Sequence, residues 1–230
     1  MEKNNKKIII ATGGTGGHVL PAVSLANYLN KIGLESFLST DKRGFKFIEA
    51  GVLKNVKLIN GSSFNKKKKI ISSLKILCAI FHSLFYLIKN KPKFVFGMGG
   101  YASFPLCFTA IFLRIPFIIY ENNLLVGKAN KILMPFAKKI FTAYDEIDGI
   151  NKKYISKKVV IGNIIRENIL NEINSDKTQL QNNLNILVLG GSQAAKIFGE
   201  VLPKIFVECE KNNFNIKVYQ QCLPEQITQL

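Results

Sequence analysis

Apolar and polar positions come in blocks along the chain, and the blocks predict a recurring order of strand, glycine turn and helix. Ile8-Ile9-Ile10-Ala11 is short and continuously apolar, stops in Gly13, Gly14, Gly16 and Gly17, and gives way to Val19, Val23, Ala26 and Leu29 at helical spacing. Gly33 stands where that helix would end. Strands are expected at 34–39 and 56–59, with a loop and a short helix over 41–51. Phe94-Val95-Phe96 then enters a second glycine turn at 97–103, and a helix continues over 104–113. The next strand, 116–120, is apolar without alternation, as in a parallel sheet covered on both faces. It ends in the polar Glu121-Asn122-Asn123. A short helix at 127–136 and strands at 139–142 and 159–163 complete the series. Strands alternating with helices predict an α/β fold built on a doubly wound parallel sheet.

After 163 the pattern changes. Residues 168–184 are polar and rich in Asn and Gln, which predicts a linker with a helix. A strand at 185–189 enters a third glycine turn, Gly190-Gly191-Ser192-Gln193-Ala194-Ala195, followed by a helix to about Lys211 and a strand at 216–219. The expected organisation is a first Rossmann-like domain over 1–163, a linker over 164–184 and a partial second Rossmann-like domain over 185–230. An independent α/β domain takes on the order of 100 residues, so the chain is expected to be cut off, or to end, inside its second domain.

One segment carries more apolar surface than a single contact needs. At about 100° per residue, Ile70, Leu74, Leu77, Phe81, Leu84 and Ile88 form one face, expected to pack on the sheet. Ile76, Ile80 and Leu87 lie off it and are expected to meet a membrane surface, with Lys66, Lys67, Lys68 and Lys69 near anionic head groups. Lys75, His82 and three serines inside the segment argue against a span through hydrocarbon. An ordinary buried helix beside a solvated lysine run is the alternative.

Composition narrows the partners. Of 230 residues, 47% are hydrophobic, enough for a folded core. Lys and Arg total 32 against 15 acidic residues, and the net charge of +17 favours anionic partners such as phospholipid, nucleotide or nucleic acid. A general Lys, Asn and Ile bias explains the same number without a site. Cys78, Cys107, Cys209 and Cys222 are widely spaced, with no CxxC pair and two histidines in the chain, so reduced, mostly buried thiols and no metal site are expected. The apolar run after the basic N-terminus is too short for a signal peptide, which predicts a cytoplasmic protein.

Glycine turns at strand ends admit backbone N–H groups close to a phosphate or a sugar, although a tight strand-to-helix connection uses glycine as well. A dinucleotide-dependent dehydrogenase would need an acidic residue at the end of the second strand, where only Asp41 stands.

Five ordered motifs decide between these. GGTGGHVLPA at 13–22, GMGGYASFP at 97–105, ENNLLVGKAN at 121–130, GNIIR at 162–166 and GGSQAAKI at 190–197 resemble the MurG family of peptidoglycan N-acetylglucosaminyltransferases. The resemblance implies the GT-B arrangement of two Rossmann-like domains across a cleft. It implies inverting transfer of GlcNAc from UDP-GlcNAc to the muramoyl 4-hydroxyl of lipid I, giving lipid II, without a metal or other cofactor. His18 would be the base, with Glu121 sharing or orienting that role; capping the turn that follows is the alternative for Glu121, and a surface linker charge the alternative for Arg166. Gly14 to Gly17 and Gly99, Gly100 and Tyr101 would cradle the acceptor's diphosphate and sugar. Thr15, Gly16 and Gly17 would also face the donor, together with Asn123, Arg166 and Ser192. The implied partners are UDP-GlcNAc, lipid I, an anionic membrane surface and other cell-wall synthesis proteins, with no nucleic acid. The implied location is the cytoplasmic face of the bacterial inner membrane, held peripherally. A non-catalytic fragment that keeps only membrane and lipid-diphosphate binding is the alternative. The chain departs from the family at Tyr120 and Asn122, where His and Gln are usual, at Ala194 in place of Gly, and at Cys222-Leu223.

Overall fold

The computed structural model describes residues 7–49, 51, 53, 55–59, 69–173, 184–190 and 196–229. The chain divides into two compact units, Met1–Leu170 and Asn171–Leu230.

In the first unit, β1 (Lys7–Ala11), β2 (Glu35–Thr40), β3 (Val56–Leu58), β4 (Phe94–Gly97), β5 (Phe117–Glu121), β6 (Lys139–Thr142) and β7 (Lys158–Val160) form one sheet in the order β3-β2-β1-β4-β5-β6-β7. Every neighbouring pair is parallel. Successive strand residues point to opposite faces, so the apolar runs feed two cores. Ile9, Ala11, Val95, Phe117 and Ile119 enter one, and Ile10, Leu38, Phe96 and Tyr120 enter the other. The helices α3 (Lys69–Asn90), α4 (Gly100–Phe112) and α5 (Lys128–Leu133) close the first core with Ala79, Leu87, Leu106, Ala110 and Leu133. On the opposite face, α1 (Gly16–Lys31) closes the second with Ala22 and Ala26. The sheet is therefore doubly wound, as the continuous apolar strands predict. Strand order reverses between β1 and β4, and there the connections leave for opposite faces and open a crevice at the carboxyl ends.

The helix after the second glycine turn starts at Gly100, earlier than its apolar spacing suggests. The expected linker begins inside the first unit, because α6 (Glu167–Ile173) is tied back to α1 by Lys31 Nζ, 2.6 Å from Glu167 Oε1. The thiols also differ from expectation. Cys107 alone is buried, Cys78 is exposed, and Cys209 and Cys222 are half-buried. Burial pushes the Cys107 thiol up to about 12.

The orientation of α3 is the largest correction. Leu87 is fully buried and Ile76 and Ile80 are half-buried, so the three residues expected at a membrane face the protein instead. The stripe expected on the sheet points outward, with Ile70 78%, Leu74 57% and Phe81 54% exposed. Ile71, Leu77, Phe85 and Ile88 extend the same exposed face. The physical reason is on the inner side: Ser72, Ala79 and Ser83 are buried, and small residues let α3 approach α4 closely. Ser83 spends its hydroxyl on the Ala79 carbonyl within its own helix, which removes the cost of burying it. Lys69 is the first residue of α3, and Lys66, Lys67 and Lys68 lie outside the described residues. Ile70–Asn90, with mean hydropathy 1.8, is the one described helix long and apolar enough to cross a membrane. Its packing on α4 makes it an amphipathic helix of the first unit.

The second unit contains parallel strands β8 (Leu184–Val188) and β9 (Ile216–Gln220) and helix α7 (Lys196–Lys211). Leu187 and Tyr219 on these strands stay 67% and 51% exposed, because the elements described in this unit cover little of their surface. Gln226 is buried against the α7 backbone, donating to the Lys196 carbonyl at 2.9 Å.

Candidate functional site

The crevice at the switch point is built from three strand ends. After β1, the first turn packs so closely that a side-chain carbon on Gly13 would lie 2.4 Å from the Ala102 Cβ of α4. After β4, Gly99 and Gly100 have φ +81° and +73°, the left-handed region that glycine enters without strain. After β5 comes the polar loop that begins at Glu121.

Asp41, at the end of β2, fixes the first turn from one side. Its Oδ1 accepts the Gly14 N–H at 2.9 Å and the Gly44 N–H at 2.8 Å, capping the short helix α2 (Lys42–Phe45). Its Oδ2 lies 3.3 Å from Arg43 Nε. The carboxylate is thus consumed inside the fold, away from the role a ribose-binding acid would have. Asn122 fixes the turn from the other side, its Nδ2 donating to the Gly17 carbonyl at 2.9 Å. The Thr12 hydroxyl donates to the His18 carbonyl at 2.9 Å.

These contacts deliver His18 to the second turn. A side-chain carbon on Gly99 would stand 3.3 Å from His18 Cε1, and one on Gly100 3.6 Å from Cδ2. His18 Nδ1 is buried and completes no hydrogen bond among the described residues. Burial lowers the imidazole pKa from its ordinary 6.5, and the Glu121 charge and the Met98 backbone only partly oppose it. Burial thus favours the neutral imidazole.

Glu121 is 2% exposed and its acceptor sites are filled. Oε1 takes the Asn123 N–H at 3.2 Å and Asn123 Nδ2 at 2.8 Å, and Oε2 takes the Gly127 N–H at 2.8 Å and Asn130 Nδ2 at 3.0 Å. It holds the loop over 122–127 in shape and reaches His18 through its charge. A cavity of about 150 Å³ opens between these groups, lined by His18, Gly100, Tyr101, Glu121, Asn123 and Lys128 among others.

The structure thus gathers His18, Gly100, Tyr101, Glu121 and Asn123 at one place. It gives other expected residues different work. The Gly14 N–H is taken by Asp41, so Gly14 has no backbone donor left for a ligand, and Gly16 is buried against the Phe47 ring. Thr15 and Gly17 are exposed. Arg166 is exposed in a separate cavity of about 240 Å³, with Leu20, Val23, Asn27, Phe47 and Glu49 on its walls. Ser192 lies outside the described residues. No group of three metal-ligating side chains converges among the described residues. Asp41 and Asn130 were missed as site-building residues. Only the spacing of Asp41 three residues before Gly44, a helix-cap pattern, hinted at the first.

Comparison with known proteins sets this geometry in a family. Residues 8–142 match the glycosyltransferase family 28 N-terminal domain. Two relatives are named UDP-N-acetylglucosamine--N-acetylmuramyl-(pentapeptide) pyrophosphoryl-undecaprenol N-acetylglucosamine transferase. The one from Pelagibacter ubique is 35% identical over 219 residues, covering 94% of this chain and 60% of its own length. The one from Francisella tularensis subsp. holarctica is 37% identical over 236 residues, covering 96% and 62%. The crystal structure of Acinetobacter baumannii MurG superposes with a TM-score of 0.70 at 29% identity, covering 97% of this chain and 62% of that one. The UDP-GlcNAc 2-epimerase of Neisseria meningitidis, with a TM-score of 0.59 and 14% identity, shares the fold. The chain therefore spans about 60% of the length of the curated relatives it matches. With the matched segment covering the whole crevice from β1 to β6, the chain belongs to glycosyltransferase family 28.

Proposed function

We propose that this chain carries the acceptor side of an inverting N-acetylglucosaminyltransferase, which moves GlcNAc from UDP-GlcNAc to the muramoyl 4-hydroxyl of lipid I and yields lipid II. The observation that carries it is His18, held between the two glycine turns beside a cavity of about 150 Å³, where burial favours its neutral form. The names of the relatives supply the substrates. Nδ1 is the buried nitrogen, which leaves Nε2 to face the acceptor. The imidazole takes the hydroxyl proton while the oxygen attacks the anomeric carbon from the side opposite the diphosphate. The bond to the diphosphate breaks, and UDP leaves with the electron pair. Glu121 keeps the Asn123 loop in place and stabilises the imidazolium through its charge. Thr15 and Gly17, exposed at the start of α1, would receive a phosphate group on their backbone N–H groups. Arg166 and Ser192 serve the donor in this scheme.

The outer face of α3 would rest on the cytoplasmic face of the membrane. A contiguous exposed apolar stripe of this size marks an interaction surface. Exposed Lys75 and Lys89 lie along the same helix, toward anionic head groups. Docking there would bring a polyprenyl-linked acceptor to the glycine turns. Contacts with other cell-wall synthesis proteins belong to the same scheme.

The test is incubation of the protein with UDP-GlcNAc and a lipid I analogue. Lipid II with inverted anomeric configuration is expected, and no product from the protein at full family length would refute the proposal. Calorimetry with UDP-GlcNAc separates it from the alternative in which the chain binds membrane and lipid diphosphate alone, since that alternative predicts no donor heat.

A further inference from the structure

Catalytic histidines are ordinarily aimed by a partner on the second ring nitrogen. His18 has no side-chain acceptor there: Nδ1 is buried without a geometrically complete hydrogen bond, and the Met98 backbone is the polar group beside the ring. Its aim then rests largely on the backbone that carries it. Three contacts hold that backbone: Asp41 on the Gly14 N–H, Thr12 on the His18 carbonyl and Asn122 on the Gly17 carbonyl. Of these, Asp41 is the strongest, because a carboxylate accepting backbone N–H groups makes charge-assisted bonds. It is also the best fixed, at 4% exposure, with the Gly44 N–H and Arg43 as its other partners. The turn has little freedom to compensate, since Gly13 is pressed between Asp41 and Ala102 and its carbonyl lies next to Gly100.

We propose that Asp41 is a positioning residue, which sets the first glycine turn through the Gly14 N–H and so places the His18 imidazole against the second turn. The proposal rests on the transferase reading for its kinetic consequence alone; its structural consequence is independent of any substrate. In Asp41→Ala the Gly14 and Gly44 N–H groups lose their acceptor, the turn shifts, and His18 becomes less buried. Asp41→Asn keeps an oxygen for both N–H groups. Asp41→Ser reaches only one of them and is the second truncating variant, should the alanine protein fail to fold.

The experiment uses the full protein, with two readouts. The first is the His18 pKa from NMR titration of its ring proton. It is expected to rise toward 6.5 in Asp41→Ala or Asp41→Ser and to stay near the parent value in Asp41→Asn. The second is steady-state kinetics with UDP-GlcNAc and a lipid I analogue. A displacement of about 1 Å at the base is expected to lower kcat about 10²-fold with the donor KM little changed. The asparagine variant is expected to restore kcat to within about threefold of the parent, as its hydrogen bonds are weaker but made. An unmoved His18 titration in a folded alanine or serine variant would overturn the proposal, and so would an unchanged kcat in an active parent background. A parent at full family length that is inactive while the His18 titration still moves would sink the transferase reading and leave the positioning role standing.

Discussion

The outward stripe of α3 yields a prediction in which stability and membrane binding separate. Phe81 and Phe85 are 54% and 69% exposed, so replacing both by Ser removes apolar surface that the fold does not bury. Withdrawing a large apolar side chain fully from water is worth about 1.5–3 kcal/mol, so the exposed fractions make about 1–2 kcal/mol available per residue on transfer to an interface. For the pair the sum is about 3 kcal/mol, or roughly 10²-fold in partitioning onto vesicles. The thermal midpoint should hardly move, because neither ring fills the core. Leu87→Ala does the opposite. Its side chain is fully buried, and emptying that volume costs about 2–5 kcal/mol of stability, while the folded fraction still binds vesicles. The assay is sedimentation with vesicles containing anionic lipid, alongside a melting curve for each variant. Raising the salt should weaken binding further, since the lysine contribution near head groups is about 1 kcal/mol each and is screened. Equal sedimentation of Phe81→Ser/Phe85→Ser and parent would refute the docking face. So would loss of vesicle binding by Leu87→Ala with an unchanged melting curve.

Other outcomes follow from the site and the fold. His18→Ala is expected to lower kcat by about 10²–10⁴-fold, with the circular dichroism spectrum unchanged. Because the folded-state pKa of His18 lies below 6.5, the rate should hold as pH falls through 7 and decline only below 6.5, read from a pH–kcat profile. The same shift removes stability as pH falls below 6.5, since the unfolded chain then binds the proton more readily, which denaturant titration at several pH values would measure. Gly13→Ala forces a carbon to within 2.4 Å of Ala102 Cβ and is expected to destabilise the protein by about 1–3 kcal/mol in chemical denaturation. Glu121→Gln removes the charge that raises the His18 pKa, so the His18 titration should move further down, with an upward movement refuting the electrostatic role.

Much of this fold was legible in one dimension. The apolar runs at 8–11, 94–96 and 117–120 are short and bounded by glycine or polar residues, and that local pattern is what a doubly covered parallel strand requires. The glycine turns were legible for the same reason, because tight strand-to-helix connections tolerate few other residues. The ring of His18 next to Gly99 was not, since it depends on β1 and β4 being neighbours in the sheet. Nor was the work of Asp41, which looked like an acid available for chemistry and is consumed by the Gly14 and Gly44 N–H groups, whereas the capping of the following turn by Glu121 was one of its two readings.

The helix over 69–90 marks the boundary most clearly. Its sequence determined that it is a helix, that it is amphipathic and that one stripe is far more apolar than the other. Periodicity cannot say what an apolar stripe is buried against. The usual assumption sends the larger residues to the core, yet here Ser72, Ala79 and Ser83 go inward and Ile70, Leu74, Phe81 and Phe85 go out. That choice was decided by the tertiary structure: buried Ser72, Ala79 and Ser83 let α3 approach α4 closely, Leu87 fills the core, and the stripe of Ile70, Leu74 and Phe81 is left outside.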